Sequence, residues 1–452
     1  MTTHSVKMWS RIIPPSILRQ SDLAFRMSLR QEHKTQQHRK LSSKEAIARD
    51  KKYCAHNYES IPVVLSKGEG VYMWDVEGKK YFDFLSGYGA TNLGHCHPKI
   101  LSTVREQVGI LHHTSRAFYS EALGEFAEYV TELLNFDKVL PMNTGAEGFE
   151  TAVKLGRKWG YYKKNIPRDQ AICVFACENF HGRTLAALSA STDPSSYQGY
   201  GPYVPNFDWV KFNNLEDLER KLCNPNVCCF IVEPIQGEAG IVVPDDGYLK
   251  GVRDICTKHN VLFIADEVQT GIGRTGKMLA VEHECVKPDA LVLGKALTGG
   301  FYPVSAVLAD DDVMLVIEPG THGSTFGGNP LGCKIAVRTL QVMSEENVIE
   351  NSKVMGEMFR EQLSCAPKEI VETVRGKGLF NSVVLKSHIS GWDVCMMLKD
   401  RGLLSKATHG HIIRFTPPLI INEKEMEEST KIILSTLEQV AEKVEWTCHN
   451  ET

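Results

Sequence analysis

Short apolar runs alternate with helical stretches between about residues 98 and 335, and this alternation limits the possible folds more than any other feature of the chain. The runs that predict strands are KVLPMN, ICVFACENF, CCFIVEPI, VLFIADEVQ and ALVLGKAL. FETAVKLGRKWGYYKK and LKGVRDICTKHN have helical patterns. Such alternation is typical of an α/β fold, in which helices flank both faces of a mostly parallel central sheet. We predict a large domain of this kind over residues 98–335.

The two ends of the chain have a different pattern. VYMWDVEGKKYFDF places alternating aromatic residues around a turn, which predicts a hairpin. After Leu331 the pattern becomes helical, and then TVRGKGLFNSVVLK and HIIRFTPPL predict strands before a closing amphipathic helix. We interpret residues 41–97 and 336–452 as a smaller α+β domain that both chain ends form together.

The first 40 residues form a basic segment. They contain eight Lys or Arg side chains but only two acidic ones, Asp22 and Glu32. This composition is typical of a mitochondrial transit peptide, and it lacks the continuous apolar core of a secretory signal. It predicts a location in the mitochondrial matrix, and the alternative is a basic tail on a cytoplasmic protein.

Composition and charge exclude several classes of function. The 452-residue chain is 42% hydrophobic and 23% charged, with a net charge of -4, so nucleic acid and membranes are not expected partners. Its 13 cysteines include no CxxC pair, and Cys228 and Cys229 lie inside an apolar run, which favours reduced, buried thiols. The clustered histidines lack the spacing of a second ligand set. We therefore predict no metal site.

Asp266 and Lys295 follow two neighbouring predicted strands. Open α/β sheets carry their chemistry at the carboxyl ends of strands. A carboxylate there can keep the ring nitrogen of pyridoxal 5'-phosphate protonated, and a lysine can hold the cofactor's aldehyde as a Schiff base. Either residue alone is more often a helix cap or a solvated charge. Together they predict an enzyme that uses this cofactor, with both residues catalytic.

Two polar turns are candidates for binding the cofactor's phosphate. NTGAEG opens a predicted helix, so the backbone amides of Gly145 and Ala146 can face an anion. Ser324 and Thr325, in HGSTFGGNPLG, could complete the site. Without a cofactor, the first turn would be a plain helix cap and the second an ordinary loop.

Two further side chains fit the cofactor's ring. Phe180 ends the predicted strand ICVFACENF, where its face can stack on a pyridine ring. Gln269 lies three residues beyond Asp266 and can donate a hydrogen bond to the phenolic oxygen. The alternatives are a core phenylalanine and an exposed amide.

These motifs, in this order, resemble those of the class III, fold-type I pyridoxal phosphate aminotransferases, and within that class the ornithine aminotransferases. The stretches that carry the resemblance include GHCHPKI, TSRAFY, VEPIQGEAGIVVP, LFIADEVQTG, GKALTGG and IIRFTPPL, and with others they span about residues 53–419. The resemblance implies a fold-type I architecture, an essential homodimer or higher homo-oligomer, and a ping-pong transamination. In that reaction the δ-amino group of L-ornithine passes to 2-oxoglutarate, giving glutamate 5-semialdehyde, which cyclises to pyrroline-5-carboxylate, and L-glutamate.

The resemblance also implies roles for single residues of the cofactor site. Lys295 and Asp266 keep the roles given above, Phe180 stacks on the ring and Gln269 contacts its hydroxyl. Glu233 lines the same site, the amides of Gly145 and Ala146 bind the phosphate, and Thr325 reaches the phosphate of the neighbouring subunit.

Substrate choice is implied to depend on two arginines. Arg183 and Arg414 resemble the family's carboxylate receptors, because a guanidinium binds a carboxylate through two parallel hydrogen bonds. Glu238 is implied to mask Arg414 by ion pairing while ornithine reacts, and to release it for 2-oxoglutarate. Tyr58 and Arg183 would hold the amino acid end of ornithine, and Tyr88 would shape the pocket.

Other functions stay open at this point. Within the class, acetylornithine and 4-aminobutyrate aminotransferases share Lys295, Asp266 and the Arg183 type of contact, whereas Tyr58 and Tyr88 together favour ornithine. Outside the class, Gly271, Gly273 and Gly276 spell GxGxxG after a strand and suggest a dinucleotide-binding oxidoreductase, but no clean helix follows.

The chain departs from the family pattern at three positions. Gly148 and Phe149 stand where many relatives have a pair of small residues, and His181 stands where some have tryptophan. We expect altered packing of the first turn of the helix and a more polar edge of the ring pocket.

Overall fold

The computed structural model describes residues 41–450, with side chains as far as Val444. The basic segment 1–40, with its predicted transit peptide, lies outside the described residues. The described chain forms two compact units, one of residues 41–65 and 75–78 and one of residues 66–74 and 79–450. In the smaller unit, helix α1 (Ser43–Tyr53) begins with a capping box between Ser42 and Glu45.

A sheet of seven strands forms the centre of the larger unit, in the order β4-β10-β9-β8-β7-β5-β6. Strands β5, β6, β7, β8 and β9 pair in parallel, and β10 pairs antiparallel with β4 and β9. The bounds are β4 (Lys138–Met142), β5 (Ile172–Ala176), β6 (Phe207–Val210), β7 (Val227–Val232), β8 (Leu262–Asp266), β9 (Ala290–Leu293) and β10 (Ser305–Ala309).

Residues from both ends of the chain share a second sheet, as the sequence predicts. Its order is β1 (Leu65–Glu69), β2 (Tyr72–Asp75), β3 (Lys80–Asp83) and β13 (Leu403–Leu404), with β2 and β3 forming the predicted hairpin. A third, antiparallel sheet has the order β11 (Val371–Lys377), β12 (Phe380–Leu385), β15 (Ile412–Phe415) and β14 (Lys406–Thr408). The domain boundaries predicted above stay a prediction.

Helices cover the sheets, and the longest ones fall where the sequence predicts them. They are α2 (Ser86–Gly89), α3 (Pro98–Val108), α4 (Glu121–Leu134), α5 (Gly145–Tyr162), α6 (Leu185–Ala190), α7 (Pro194–Tyr197), α8 (Leu215–Leu222), α9 (Tyr248–Lys258), α10 (Asp311–Met314), α11 (Pro330–Glu345), α12 (Val348–Leu363), α13 (Gly391–Asp400) and α14 (Glu423–Asn450). Among the described residues, no helix is both long and apolar enough to span a membrane.

The largest core described lies between α5 and one face of the central sheet. Phe149, Leu155 and Trp159 from α5 pack there against inward-facing residues of β5, β7, β8, β9 and β10. All residues of β7 and β8 are buried, which explains their continuous apolar sequences. This packing fixes the carboxyl ends of the strands, where the site lies.

The predicted strand ICVFACENF is too long. Strand β5 ends at Ala176, so Phe180 lies in the following loop and not at a strand end. Left-handed Glu178 (φ 61°) and the side chain of Asn179, which donates to the carbonyls of Ala176 and Ala190, turn the chain away. Strands β6 and β10 are not among the strands predicted from the sequence.

Candidate active site

Asp266 is the last residue of β8, and its carboxylate is almost fully buried. Its Oδ1 accepts a hydrogen bond from the Val268 amide at 3.1 Å, and its Oδ2 lies 2.6 Å from Nδ1 of His181. A buried carboxylate requires such partners, because an unpaired one would lose its hydration without compensation. The carboxylate is therefore held in one orientation by contacts on both oxygens.

His181 lies between Phe149 and Asp266, whereas the sequence predicts only that it makes the edge of the ring pocket more polar. Its ring stacks on Phe149 with centroids 4.5 Å apart and planes 3° from parallel. Its Nε2 is buried and has no hydrogen-bond partner among the described residues. Because Asp266 accepts, the imidazole proton belongs on Nδ1. Two of the three departures from the family pattern, Phe149 and His181, thus form one structural unit behind Asp266.

Lys295 lies one residue past Gly294, in the turn that follows β9, with a left-handed φ of 40°. Burial lowers the pKa of its amine, while the nearby carboxylates of Glu238, Glu233 and Asp266 act in the opposite direction. The three carboxylates come from the end of β8 (Asp266) and from the segment that follows β7 (Glu233 and Glu238). A lowered pKa increases the fraction of neutral, nucleophilic amine.

The first turn of α5 reaches the same place. Thr144 caps the helix together with Glu147, which leaves the amides of Gly145 and Ala146 at its N-terminus. A Cβ on Gly145 would lie 2.8 Å from Val268 Cγ1, so a larger residue does not fit there. Glycine at this position lets the positive end of the helix approach the turn after β8.

Ser324 lies near this helix end and Thr325 is exposed. The Ser324 hydroxyl accepts hydrogen bonds from the Asn143 side chain at 2.8 Å and from the Gly327 amide at 3.2 Å. Asn143 is a site residue that the sequence analysis did not single out, although it precedes the predicted phosphate turn. The contact joins the two turns that the sequence predicts as phosphate ligands.

Glu238 and Arg414 form a close ion pair. Arg414, in β15, donates from one terminal nitrogen to Glu238 Oε1 at 2.6 Å, and its guanidinium lies 5.3 Å from the centre of the Tyr88 ring. Burial alone would raise the pKa of Glu238, but Arg414 and then Lys295 hold it below its usual value. The ion pair between these two residues is therefore present, and the masking role of Glu238 stays a prediction.

The loop that carries Glu238 is anchored through its backbone. The Gly240 carbonyl accepts hydrogen bonds from Arg375 (2.9 and 3.1 Å) and Ser382 (2.8 Å), and the Glu238 carbonyl accepts one from Thr408 (3.1 Å). These donors belong to the third sheet, which also carries Arg414. These donors are not predictable from the sequence, because no local signal links Arg375 to a loop 135 residues away.

Glu233 and Gln269 complete the wall around Lys295. Glu233 accepts hydrogen bonds from the amides of Phe180 (2.9 Å) and Gly237 (3.2 Å), and burial raises its pKa to about 7. Gln269 is buried, and its Oε1 has no hydrogen-bond partner in the described part of the chain. A Cβ on Gly237 would lie 1.4 Å from that oxygen, so a larger residue there would displace the Gln269 side chain.

A family model described as Aminotransferase class-III matches residues 53–437. The chain belongs to the class III aminotransferases. It is 61% identical over 395 residues to a Drosophila melanogaster protein named mitochondrial ornithine aminotransferase, an alignment that covers 87% of this chain and 92% of the relative. A Rattus norvegicus protein of the same name is 58% identical over 398 residues, covering 88% and 91%.

Solved structures of class III aminotransferases have the same fold. Ornithine aminotransferase from Toxoplasma gondii ME49 has a TM-score of 0.87 at 43% identity, covering 89% of this chain and 96% of that one. Acetylornithine aminotransferase from Elizabethkingia anophelis has a TM-score of 0.81 at 48% identity, covering 88% and 100%. The predicted α/β, fold-type I class is confirmed. Class III aminotransferases depend on pyridoxal phosphate.

Three sequence-predicted residues of this class III aminotransferase have exposed side chains. Arg183 is exposed, donates to Ser196 Oγ at 2.8 Å and lies 5.3 Å from the centre of the Phe180 ring. Thr325 points to the surface, and Tyr58 belongs to the smaller unit, where its side chain is 71% exposed. Their roles stay predictions.

Proposed function

We propose that this class III aminotransferase binds pyridoxal 5'-phosphate and transfers the δ-amino group of L-ornithine to 2-oxoglutarate. The products are glutamate 5-semialdehyde, which cyclises to pyrroline-5-carboxylate, and L-glutamate. The observation that carries the substrate assignment is the Glu238–Arg414 pair beside Lys295. Relatives at 57–61% identity that are named ornithine aminotransferases support it.

The residues around Lys295 fit the cofactor. The buried carboxylate of Asp266 matches a protonated ring nitrogen, and the N-terminus of α5 at Gly145 and Ala146 matches a phosphate. Gln269 is a buried amide whose oxygen has no partner among the described residues and whose side chain interacts with Glu238. Its amide nitrogen would donate to the ring hydroxyl of the bound cofactor. When bound, pyridoxal phosphate supplies a ring that withdraws electrons from the substrate carbon.

Lys295 acts as the base in this proposal. Because burial lowers its pKa, the amine becomes neutral more readily than a solvent-exposed lysine. A neutral amine can take the proton from the δ-carbon of ornithine and deliver it to the cofactor. Its position among Asp266, Glu233 and Glu238 keeps the resulting ammonium close to negative charge.

Arg414 and Glu238 allow two different substrates to use one pocket. While paired with Glu238, Arg414 does not attract the carboxylate of ornithine, so the distal amine can approach Lys295. Arg183 and Tyr58 would then hold the amino acid end. Release of Glu238 frees Arg414 to bind 2-oxoglutarate through two hydrogen bonds. Since the product of ornithine must leave the pocket before 2-oxoglutarate binds, ping-pong kinetics follow.

N-acetylornithine is the second candidate substrate. The acetylornithine aminotransferase from Elizabethkingia anophelis is as similar in fold, with a TM-score of 0.81, as several ornithine aminotransferases. The fold alone therefore does not separate the two substrates, and the decision depends on the residues of the pocket.

We further propose that the protein acts as a homodimer. Large apolar side chains are exposed along residues 108–119 and in two further loops: Val108, Ile110, Leu111, Phe118, Tyr119, Phe301 and Phe326. The Phe326 ring lies 4.6 Å from His113, which joins this surface to the loop of Thr325. A monomer seldom exposes so many apolar groups together. A second copy would cover them and receive Thr325 at its own phosphate site.

The mitochondrial matrix is the proposed location. Relatives from Drosophila melanogaster and Rattus norvegicus are named mitochondrial. The basic composition of residues 1–40 agrees with a transit peptide.

A substrate panel tests the proposed function. Purified protein with added cofactor is given L-ornithine, N-acetylornithine or 4-aminobutyrate as donor and 2-oxoglutarate as acceptor. Ornithine should have the highest kcat/KM, and 2-aminobenzaldehyde should trap the cyclised product. The Lys295→Ala variant should lose at least a thousandfold in kcat. Faster turnover of N-acetylornithine than of ornithine, or wild-type rates in the Lys295 variant, would overturn the proposal.

A further inference from the structure

Three cysteine side chains meet inside the core between β5, β7 and α5. The sulfur of Cys228 lies 3.7 Å from that of Cys173 and 3.8 Å from that of Cys229, and all three sulfurs lie within 4.8 Å of one another. Each residue is fully buried. We refer to Cys173, Cys228 and Cys229 as the thiol cluster.

A β-bulge creates the thiol cluster. Neighbouring residues of a regular strand point to opposite faces of a sheet, so Cys228 and Cys229 should diverge. In the pairing of β5 with β7, however, Ile172 is opposite Val227 and Cys173 is opposite Cys229, which leaves Cys228 as an extra residue. A bulge of this kind turns the extra residue toward the same side as its neighbour. Both thiols therefore face α5.

Helix α5 leaves room for these sulfurs. A Cβ on Gly156 would lie 2.7 Å from Cys229 Sγ, and a Cβ on Gly160 would lie 2.7 Å from Cys228 Cβ. The two glycines are one helical turn apart and face the cluster together. No other residue type fits at either position unless the cysteines move.

Two cations lie beside the cluster. Arg157 interacts electrostatically with Cys173, and its Nε is buried without a hydrogen-bond partner among the described residues. Lys164 donates to the carbonyls of Val227 (2.8 Å) and His259 (3.0 Å) and interacts electrostatically with Cys228 and Cys229. An anionic complex of the thiols would therefore have positive charge on both sides.

We propose that the thiol cluster binds one copper(I) ion. Thiolates select soft ions such as copper(I). With metal–sulfur bonds of about 2.3 Å, three sulfurs in trigonal planar coordination lie about 4 Å apart, close to the observed spacing. In the described part of the chain, no imidazole or carboxylate joins the three sulfurs, whereas zinc prefers four ligands. Three ligands suit copper(I) better.

Charge and atoms balance without a change of oxidation state. Three S–H bonds break, three Cu–S bonds form and three protons pass to water. The complex carries two negative charges, which Arg157 and Lys164 offset. The site lies toward the amino end of β5, whereas Asp266 lies at the carboxyl end of β8, so it does not depend on the proposed transamination. The ion would join β5 to β7 and stabilise the core.

Copper(I) titration of the full-length protein tests the proposal. The exposed thiols are first alkylated on the native, reduced protein, and mass spectrometry confirms that the buried ones remain free. The protein is then titrated anaerobically with copper(I) against a chromophoric chelator, and a second sample is produced in copper-supplemented medium because the site is enclosed. We expect one copper per chain, three Cu–S contacts by X-ray absorption, and a higher Tm.

Single variants locate the ion. Cys229→Ala and Cys173→Ala should each lower copper retention at least tenfold, whereas Cys256→Ala, which removes a buried thiol outside the cluster, should keep it. Circular dichroism and transaminase activity show whether each variant is folded. Absence of copper from both wild-type samples, or equal retention by folded Cys229→Ala and wild-type protein, would overturn the proposal.

Discussion

His181 Nδ1 lies 2.6 Å from Asp266 Oδ2, and the imidazole is held flat against Phe149. The pair joins the loop after β5 to the end of β8. The imidazole supplies a hydrogen-bond donor to the carboxylate that is proposed to face the cofactor's ring nitrogen. Phe149 and His181, which are far from Asp266 in the sequence, thereby fix the orientation of its carboxylate.

The His181→Phe variant should retain pyridoxal phosphate less well. Phenylalanine keeps the ring that stacks on Phe149 but removes the donor to Asp266. A hydrogen bond to a charged group contributes about 1.5–3 kcal/mol, so we expect the cofactor's dissociation constant to rise roughly ten- to hundredfold. Fluorescence titration of the apoenzyme measures this. His181→Asn, which can still donate, is the control, and an unchanged dissociation constant in His181→Phe would contradict the role.

Glu238→Gln should make the enzyme less selective for ornithine. A neutral amide pairs weakly with Arg414, so the guanidinium becomes available to the α-carboxylate of other amino acids. We expect the ratio of kcat/KM for ornithine to that for glutamate, each measured as donor, to fall at least tenfold, about 1.4 kcal/mol. Single-turnover spectra with each donor provide the ratio. Equal ratios in the variant and the wild type would show that Glu238 does not mask Arg414.

Tyr88→Ile should shift the preference from ornithine toward simple ω-amino acids such as 4-aminobutyrate, because it removes the ring beside Arg414. The backbone adds a cost, since residue 88 has φ 61° and β-branched residues are unfavourable there. We expect a loss of about 1 kcal/mol in stability. Substrate ratios and the urea midpoint test both effects, with Tyr88→Phe as control. Unchanged substrate ratios would contradict the pocket assignment.

Arg375→Met should loosen the loop that carries Glu238. It removes the two Arg375 hydrogen bonds to the Gly240 carbonyl while Ser382 still donates. Glu238 would then pair less often with Arg414, so the ornithine to glutamate ratio should fall several-fold with little change in kcat for ornithine. Steady-state kinetics measure both. Arg401→Met removes contacts to Thr436 and Gln439 instead and should leave the ratio unchanged. A fall in kcat alone would argue against the anchor.

Glu267→Gln should change how stability depends on pH. Burial raises the pKa of Glu267 to about 7 from an unfolded value of 4.5, so the folded state holds its proton more tightly. The resulting stability is full below about pH 4.5 and is lost as the pH rises through 7. The variant does not lose this stability. Its free energy of unfolding relative to that of the wild type should therefore rise by roughly 3 kcal/mol between pH 4.5 and 8. Guanidinium unfolding at both pH values, at one protein concentration, measures the gain. If the difference in unfolding free energy between the variant and the wild type is the same at both pH values, Glu267 does not have a raised pKa.

Local patterns in the sequence determined much of the fold and part of the site. Continuous apolar runs marked β7 and β8 because strands buried on both faces need no polar residues. Asp266 could be placed at a strand end for the same reason, whereas Lys295 lies in the turn two residues after β9. The Thr144–Glu147 cap and the glycine that follows Thr144 marked the helix end at Gly145, since a cap requires certain residue types at a fixed spacing.

Only the tertiary structure decided which distant residues meet. No spacing rule links His181 to Asp266 or Arg375 to Gly240, because those contacts arise from the order of strands and the packing of one sheet on another. Phe180 was placed at a strand end because it closes the run ICVFACENF, whereas the strand ends at Ala176 and left-handed Glu178 turns the chain away. Cys228 and Cys229 are neighbours that alternation would separate, and the register of β5 on β7 turns them to one face. Sequence periodicity reports on one strand at a time, whereas register is a property of two.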